Sequence, residues 1–512
     1  MYNIIRTPDR CQVFAEKGVT DDIHVDTEVM GGELKVSVTA LRNEPRFVVL
    51  RWLHETKTEV KILGDAWERS YGDLAWKGIE PDRVMPWYFL LDSKDVGVFG
   101  FGVKVRPHAM CHWLFDAEGI SLVLDLRCGG VGVKLNGRSL EAATVVYRSY
   151  GRMDAFNAAC DFCGVMSHTA LKVKEPIYGA NNWYYAYGDS SYEDIVSDSQ
   201  YIAKLTKGLN NRPYMVIDDG WEENHVCGPW DKGNKRFPDM EKLMTDMKGC
   251  GVKPGLWFRP LTDITNRLCE KHFLRGEKGT LDPTHPDVLS YIAESVSRFR
   301  TWGCQLLKHD FSSKDATSVW GKDTFRRFVP EDAAWSFFDR TVTTAEALLT
   351  LYETIYRAAG DMLILGCNCV NHLCVGYVHL NRIGDDTSGR QWERSRFMGI
   401  NTLAFRLPQH RHFFEADADC VGITSAIPWN LNRLWLDLVA GSGTPLFVSC
   451  KQQDITPEME EDLVRAMEVA SQQKDKLRPL DWQFNNTPKR WLRNGEELTY
   501  SWSNAIGAFE LP

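Results

Sequence analysis

No stretch of the 512-residue sequence approaches the ~20 apolar residues of a bilayer-spanning helix. The opening MYNIIRTPDR has neither an apolar signal core nor a cleavage site, so the expectation is a cytoplasmic chain without a membrane partner. An excess of basic charge is also missing. Sixty Lys and Arg face 69 Asp and Glu, a net charge of −9, and the basic residues are dispersed. That balance excludes a general nucleic-acid binder, which needs a basic face for phosphates. There is no P-loop, no GxSxG elbow, no HExxH and no GxGxxG in a βαβ setting, which removes the nucleotide, serine-hydrolase, zinc-protease and dinucleotide classes. The 14 cysteines form no short regular framework and fit reduced thiols. Cys160 and Cys163 make one CxxC without a second pair at zinc-ribbon spacing, and the run Gln409-His410-Arg411-His412 lacks a ligand partner. No metal and no cofactor is therefore expected.

What the sequence does have is aromatic surface: 18 Trp, 17 Tyr and 24 Phe. Tryptophan accompanies large cores and sugar-stacking surfaces alike, because its N–H needs a partner wherever the ring is buried. The length exceeds the roughly 250–300 residues at which one core stops growing, so more than one domain is expected.

Residues 1–165 read as an antiparallel β-sandwich. Leu34, Val36 and Val38 alternate with Lys35 and Ser37, and Leu122, Leu124 and Leu126 with Val123 and Asp125. Val131, Val133 and Leu135 repeat the period before an Asn136-Gly137 turn. Residues 166–455 change grammar. Eight short apolar segments, at Pro176–Asn182, Tyr214–Asp219, Val252–Phe258, Gln305–Phe311, Met362–Cys367, Val378–Ile383, His412–Asp417 and Thr444–Ser449, alternate with amphipathic segments such as Pro286–Trp302 and Trp335–Ala359. Count and size match a (β/α)8 barrel; a doubly wound sheet is the alternative. Residues 456–512 read as a closing helix, Glu458–Gln473, and a small C-terminal β segment.

Barrel active sites lie at the C-terminal ends of the strands. Those ends carry Asp218, Asp219 and Trp221; Trp257 and Arg259; Lys308 and Asp310; Cys367; Arg382, Asp385 and Asp386; and Asp417 and Asp419. A single carboxylate there can be a helix cap. Several on one mouth repel one another unless cations and hydroxyl groups offset them, which points to a sugar or polyol. Glycoside hydrolysis needs two carboxyl groups flanking the scissile bond, and Asp310 and Asp386 meet that need from the fourth and sixth strands. Lys308, two residues before Asp310, faces the same side of its strand and is expected to keep Asp310 ionised. A Schiff-base lyase using Lys308 is the distant alternative.

The ordered set Ile217-Asp218-Asp219-Gly220-Trp221, Phe237-Pro238, Lys253-Pro254-Gly255-Leu256-Trp257, Leu307-Lys308-His309-Asp310-Phe311, Leu365-Gly366-Cys367 and Arg382-Ile383-Gly384-Asp385-Asp386-Thr387 resembles the α-galactosidase clan, and within it glycoside hydrolase family 36. The resemblance implies a retaining exo-α-galactosidase, with Asp310 as nucleophile and Asp386, or its neighbour Asp385, as acid/base. It implies Asp218 and Asp219 on the galactose 4- and 6-hydroxyls, Lys308 and Arg382 on ring hydroxyls and Trp257 as an apolar wall. Trp221 and Cys367 complete the expected substrate-binding set. Trp67, in the loop Gly64–Gly72, is an expected aglycone contact, and His309 a packed histidine. The acid is expected to carry the higher pKa of the pair. The same chemistry on N-acetylgalactosamine, or transfer of galactose to an acceptor, stays open, as does a homo-oligomeric state.

Overall fold

The structure, a computed structural model, describes residues 2–503 except 226, 266, 322–333 and 475. Residues 504–512 of the expected C-terminal segment lie outside the described residues.

Two antiparallel sheets form the N-terminal sandwich. One runs in the order Arg10–Ala15, Pro45–Leu53, Gly119–Asp125, Met110–Asp116, Met85–Pro86. The other runs Ile23–Met30, Glu33–Ala40, Ser139–Gly151, Gly97–Val103, Tyr88–Ser93, Val60–Gly64. Period-two patterning places Leu34, Val36 and Val38 at zero exposure between half-buried neighbours. Two stretches depart from the sequence reading. Val131–Leu135 is not a strand; its backbone instead bonds to the strand at Pro45, Val133 N–H donating to the Pro45 carbonyl. A helix, Ala155–Met166, closes the sandwich with Ala158, Ala159, Phe162, Cys163 and Met166 turned inward. It lies so near the sheet that a Cβ on Gly100 would stand 2.6 Å from the Phe162 ring.

The central sheet is parallel, in the order Glu415–Asp417, Leu380–Arg382, Leu363–Gly366, Leu306–His309, Lys253–Phe258, Tyr214–Ile217, Tyr178–Asn181, Leu446–Cys450, Cys420–Ile423. Its two outermost members are consecutive in the chain. Ala418 and Asp419 join them, with Asp419 at φ 75°, so the ring closes through a seventh strand that is broken in the middle. The first half pairs with the sixth strand and the second half with the eighth. The expected eight strands are therefore present, one of them split.

Helices Tyr192–Leu205, Met240–Cys250, Pro286–Trp302, Thr344–Ala359 and Trp429–Ala440 alternate with the strands. Thr344–Ala359 starts later than its apolar pattern suggests, because Thr343 caps it and Glu346 reciprocates. Between the fifth and sixth strands only one helical turn, Asn371–Cys374, is formed. The sandwich takes the place of a longer helix there: Trp87 stacks on His372 at 5.3 Å and Nε2 of His372 lies 2.8 Å from the Val103 carbonyl. Helix Pro457–Ala470 and a three-stranded antiparallel sheet follow, with Trp491 and Trp502 fully buried. Among the described residues no helix is long and apolar enough to cross a membrane. All 14 cysteines are free thiols.

Thr343 also donates its hydroxyl to the His108 carbonyl at 2.6 Å, tying the helix start to the sandwich. Thr343→Ala is expected to lower unfolding free energy by about 1–2 kcal/mol, read by urea denaturation.

Candidate active site

The C-terminal ends of the barrel strands surround a cavity of ≈ 410 Å³, a volume in the range of small-molecule sites. Asp218, Asp219, Trp257, Lys308, Asp310, Asp385 and Asp386 line it, as do Arg69, Tyr71, Trp183, Phe311, Trp320, Asn368 and Arg394.

The floor is a buried ion pair. Lys308 Nζ donates to Asp218 Oδ2 at 2.6 Å, and Asn181 Nδ2 reaches the same oxygen at 2.6 Å. Asp218 therefore has its charge offset and its position fixed from three strands. Burial opposes the charge on Lys308, but Asp218 overrides it and holds the ammonium's pKa above its ordinary value. Lys308 bonds to Asp218, and an amine held protonated by that carboxylate is unsuited to Schiff-base attack.

Asp310 follows the fourth strand directly and is held by neutral donors. The Phe311 backbone N–H and Asn368 Nδ2 reach Oδ1 at 2.7 and 2.5 Å, and Trp257 Nε1 reaches Oδ2 at 3.2 Å. The strand ends at His309, two residues before the expected limit, because Phe311 turns to φ 63° to present that N–H. A carboxylate with these donors is held in one orientation. His309 is buried among Cys369 and Tyr352, and burial pulls its pKa down to about 4.

The two neighbouring aspartates after the sixth strand have different surroundings. Both oxygens of Asp385 are occupied, by Arg69 at 2.8 Å and Arg394 at 2.9 Å. Asp386 faces Arg382 at 3.2 Å and Arg69 at 3.5 Å and keeps 37% of its side chain exposed. Burial pushes the Asp386 pKa up, but Arg382, Arg69 and Lys308 outweigh it and hold the group below the ordinary carboxylate value. Burial pushes the carboxyl group of Asp417, behind the cavity, up to about 6.

Arg69 comes from the sandwich. Ser70 forms a parallel bridge with Gly384: its N–H donates to the Ile383 carbonyl at 2.9 Å, and Asp385 N–H donates to the Ser70 carbonyl at 2.8 Å. Asp65 accepts from Arg406 and Gln409 at 2.8 and 3.0 Å, and Glu68 accepts from the Ser313 and Tyr71 hydroxyls. The loop around Gly64–Gly72 thus reaches the mouth, but through Arg69 and Tyr71. Trp67 points elsewhere, packing edge-on against Trp87 at 5.1 Å outside this cavity.

Three further expected binding residues do not line the cavity. Trp221 has no exposure, donates to the Trp257 backbone carbonyl at 3.0 Å and packs on Trp230, which in turn packs on the Trp257 ring. Cys367 lies 3.9 Å beneath Arg382 Nη1. Arg382 is itself 2% exposed and spans Asp386 and Asp419, 2.8 Å from the latter. Arg259 is likewise removed, paired with Asp315 at 2.6 and 2.8 Å. Trp183 could have been read from the sequence, since it follows the end of the first strand. Arg69 and Trp320 arrive from loops whose paths carry no periodic signal, and Arg394 from the single helical turn Trp392–Ser395.

No family model and no curated protein matches the chain. Solved structures do. The α-galactosidase of Thermus thermophilus, in complex with p-nitrophenyl α-D-galactopyranoside, is 16% identical with a TM-score of 0.61, covering 96% of this chain and 99% of that one. A family 36 α-galactosidase from Geobacillus stearothermophilus is 15% identical with a TM-score of 0.59, covering 94% and 79%. The α-galactosidase from Lactobacillus brevis is 14% identical with a TM-score of 0.58, covering 94% and 72%. The chain therefore has the sandwich-and-barrel fold of the family 36 α-galactosidases.

Removing the ammonium under Asp218 leaves a buried charge with only neutral donors, the Asn181 amide and the Asp219 N–H, among the described residues. Lys308→Met is expected to cost about 3–5 kcal/mol in chemical denaturation, against a much smaller loss for Lys308→Arg.

Proposed function

We propose that this chain is a retaining exo-glycosidase that releases terminal α-galactosyl residues from oligosaccharides. One observation carries the reading: Asp310 and Asp386, following the fourth and sixth strands, line one cavity whose floor is the Asp218–Lys308 pair. The fold supports it, since structures of this architecture include α-galactosidases holding p-nitrophenyl α-galactoside and stachyose. The small-molecule substrate is thus an α-galactoside, and the proposal treats the sandwich, the barrel and the C-terminal β segment as one working unit.

Asp310 attacks the anomeric carbon. The three donors on its oxygens aim the carboxylate, with Trp257 serving both as apolar wall and as one of those donors. The exocyclic C–O bond breaks as the new ester bond forms, and the leaving oxygen takes a proton from Asp386. Asp386, then a carboxylate, removes a proton from water, which attacks the same carbon and frees Asp310 with retained configuration. Retention requires the two carboxyl groups to stand about 5–5.5 Å apart. Asp386 suits these roles better than Asp385, whose oxygens are both taken by guanidinium groups. Asp218 and Asp219 accept from sugar hydroxyls, and Lys308 offers its remaining N–H bonds.

Asp310→Ala is expected to abolish turnover of every α-galactoside. Asp386→Ala should spare the first step for an activated aryl leaving group while removing it for a sugar leaving group. Steady-state rates on p-nitrophenyl α-galactoside and stachyose read both, and unchanged rates in both variants would refute the assignment.

The depressed pKa of Asp386 sets a pH dependence. The acid works only when protonated, so kcat/KM on a sugar leaving group falls as pH rises through that pKa. Arg69→Met removes one cation 3.5 Å away, raises the pKa, and should shift this limb to higher pH. An activated aryl substrate, which needs no proton, should not show the shift.

A further inference from the structure

At the end of the barrel opposite the catalytic mouth, a second cavity of ≈ 870 Å³ opens where three parts of the chain meet. Helix Ala155–Met166 of the sandwich supplies Phe156 and Cys160. The segments leading into the seventh and eighth barrel strands supply Leu407, Arg411 and Gly443, so the cavity lies at the N-terminal ends of those strands. The C-terminal sheet supplies Arg478 and Leu492, and the connection before it supplies Lys474 and Lys476. Junctions between structural units are a usual place for small-molecule sites, and the volume lies in their range.

The lining is unbalanced in charge. Arg411, Lys474, Lys476 and Arg478 line the cavity, and among the described residues no carboxylate does, in a chain of net charge −9. Two of these cations are offset from outside the lining: Arg411 lies 3.4 Å from Glu415, and Arg478 3.2 Å from Asp154. Lys474 and Lys476 enter no ion pair among the described residues, and Asp475 between them lies outside those residues. Asp161, on the helix that carries Cys160, accepts from the Tyr150 hydroxyl at 2.8 Å. His410 and Cys160 line the cavity without adding charge, since burial pulls the imidazole down to about 3 and pushes the thiol up to about 12.

The two lysines sit on an anchored segment. Buried Gln473 donates to the Ile177 carbonyl at 3.1 Å. Lys476 N–H donates to Asn494 Oδ1 at 2.9 Å, and the Lys476 carbonyl accepts the Asn494 N–H at 3.0 Å. Like charges gathered around one concavity repel unless an anion offsets them, and they focus their field on that anion. Guanidinium and ammonium groups together are a donor set that phosphate oxygens accept from. Phe156, Leu407, Leu477 and Leu492 give the same cavity an apolar wall, which a bare inorganic anion would leave uncovered.

We propose that this cavity binds a phosphate monoester whose organic part is a ring, with the phosphate on Lys474, Lys476 and Arg478 and the ring against the apolar wall. A sugar phosphate and a nucleotide share that chemistry. The site has no lining residue in common with the catalytic cavity.

The test is isothermal titration calorimetry of the full chain at low salt with galactose 1-phosphate, AMP and inorganic phosphate. It is repeated on the double variant Lys474→Glu/Lys476→Glu and on Lys94→Glu, an exposed lysine of the sandwich. At least one ester is expected to bind about tenfold more tightly than inorganic phosphate, and to weaken as salt rises. The double variant should lose at least about tenfold in affinity, and Lys94→Glu should bind as the parent does. Both lysines are exposed, so the double variant folds, and its thermal melt checks this. Binding of AMP alone would identify a nucleotide site, and of galactose 1-phosphate alone a sugar-phosphate site. No binding of either ester, inorganic phosphate bound as tightly as both, or an equal loss in Lys94→Glu would each overturn the proposal. Galactoside hydrolysis is not read in this test, so failure here is separable from failure of the proposed activity.

Discussion

A backbone bridge between Ser70 of the sandwich and Gly384 of the barrel is the constraint on which the rest of the candidate site depends. It adds a short extended segment to the loop that carries Asp385 and Asp386. Two buried carboxylates, Asp65 and Glu68, moor that segment to Arg406, Gln409 and Ser313, so Arg69 is delivered at a fixed place. Arg69 then decides the difference between the neighbouring aspartates. It helps saturate Asp385 and stands near Asp386 without bonding both its oxygens. A breaking of this mooring would cost more than one contact, since each moored carboxylate lies in a low-dielectric setting where an unpaired partner is expensive.

The charges at the mouth follow a layered scheme. Lys308 offsets Asp218 and Arg382 offsets Asp419, while the donors on Asp310 are neutral N–H groups. Asp310 thus differs from Asp218 and Asp419 in the type of partner rather than in burial, since all three are buried.

Much of this was legible in the sequence because strands and their ends have strong signatures. Period two marked Leu34–Val38, and the motif carboxylates fell at strand ends because that is where the chain leaves the ring. Helix Pro286–Trp302 was readable to the residue because proline opens it and Gly303, at φ 101°, closes it. Contacts across units were not legible. Arg69 and Trp67 are two residues apart in one loop, and only the bridge at Ser70 determines which of them faces the cavity. Helix Ala155–Met166 carries small apolar residues at helical spacing, but its many Ala and Cys gave little contrast against the β pattern before it. The pKa of Asp386 is lowered first by Arg382, four residues before it, and then by Arg69, whose approach from the sandwich local spacing does not encode.

The break in the seventh strand joins architecture to chemistry at a single residue. Asp419 occupies the kink where the ring is completed, and its carboxylate accepts from Arg382, Thr387 and the Tyr184 hydroxyl. Arg382 in turn governs the charge of Asp386. The last seam of the barrel and the charge balance at Asp386 consequently share one residue pair, so a substitution of Asp419 that loosened the ring would also disturb the field at the cavity mouth.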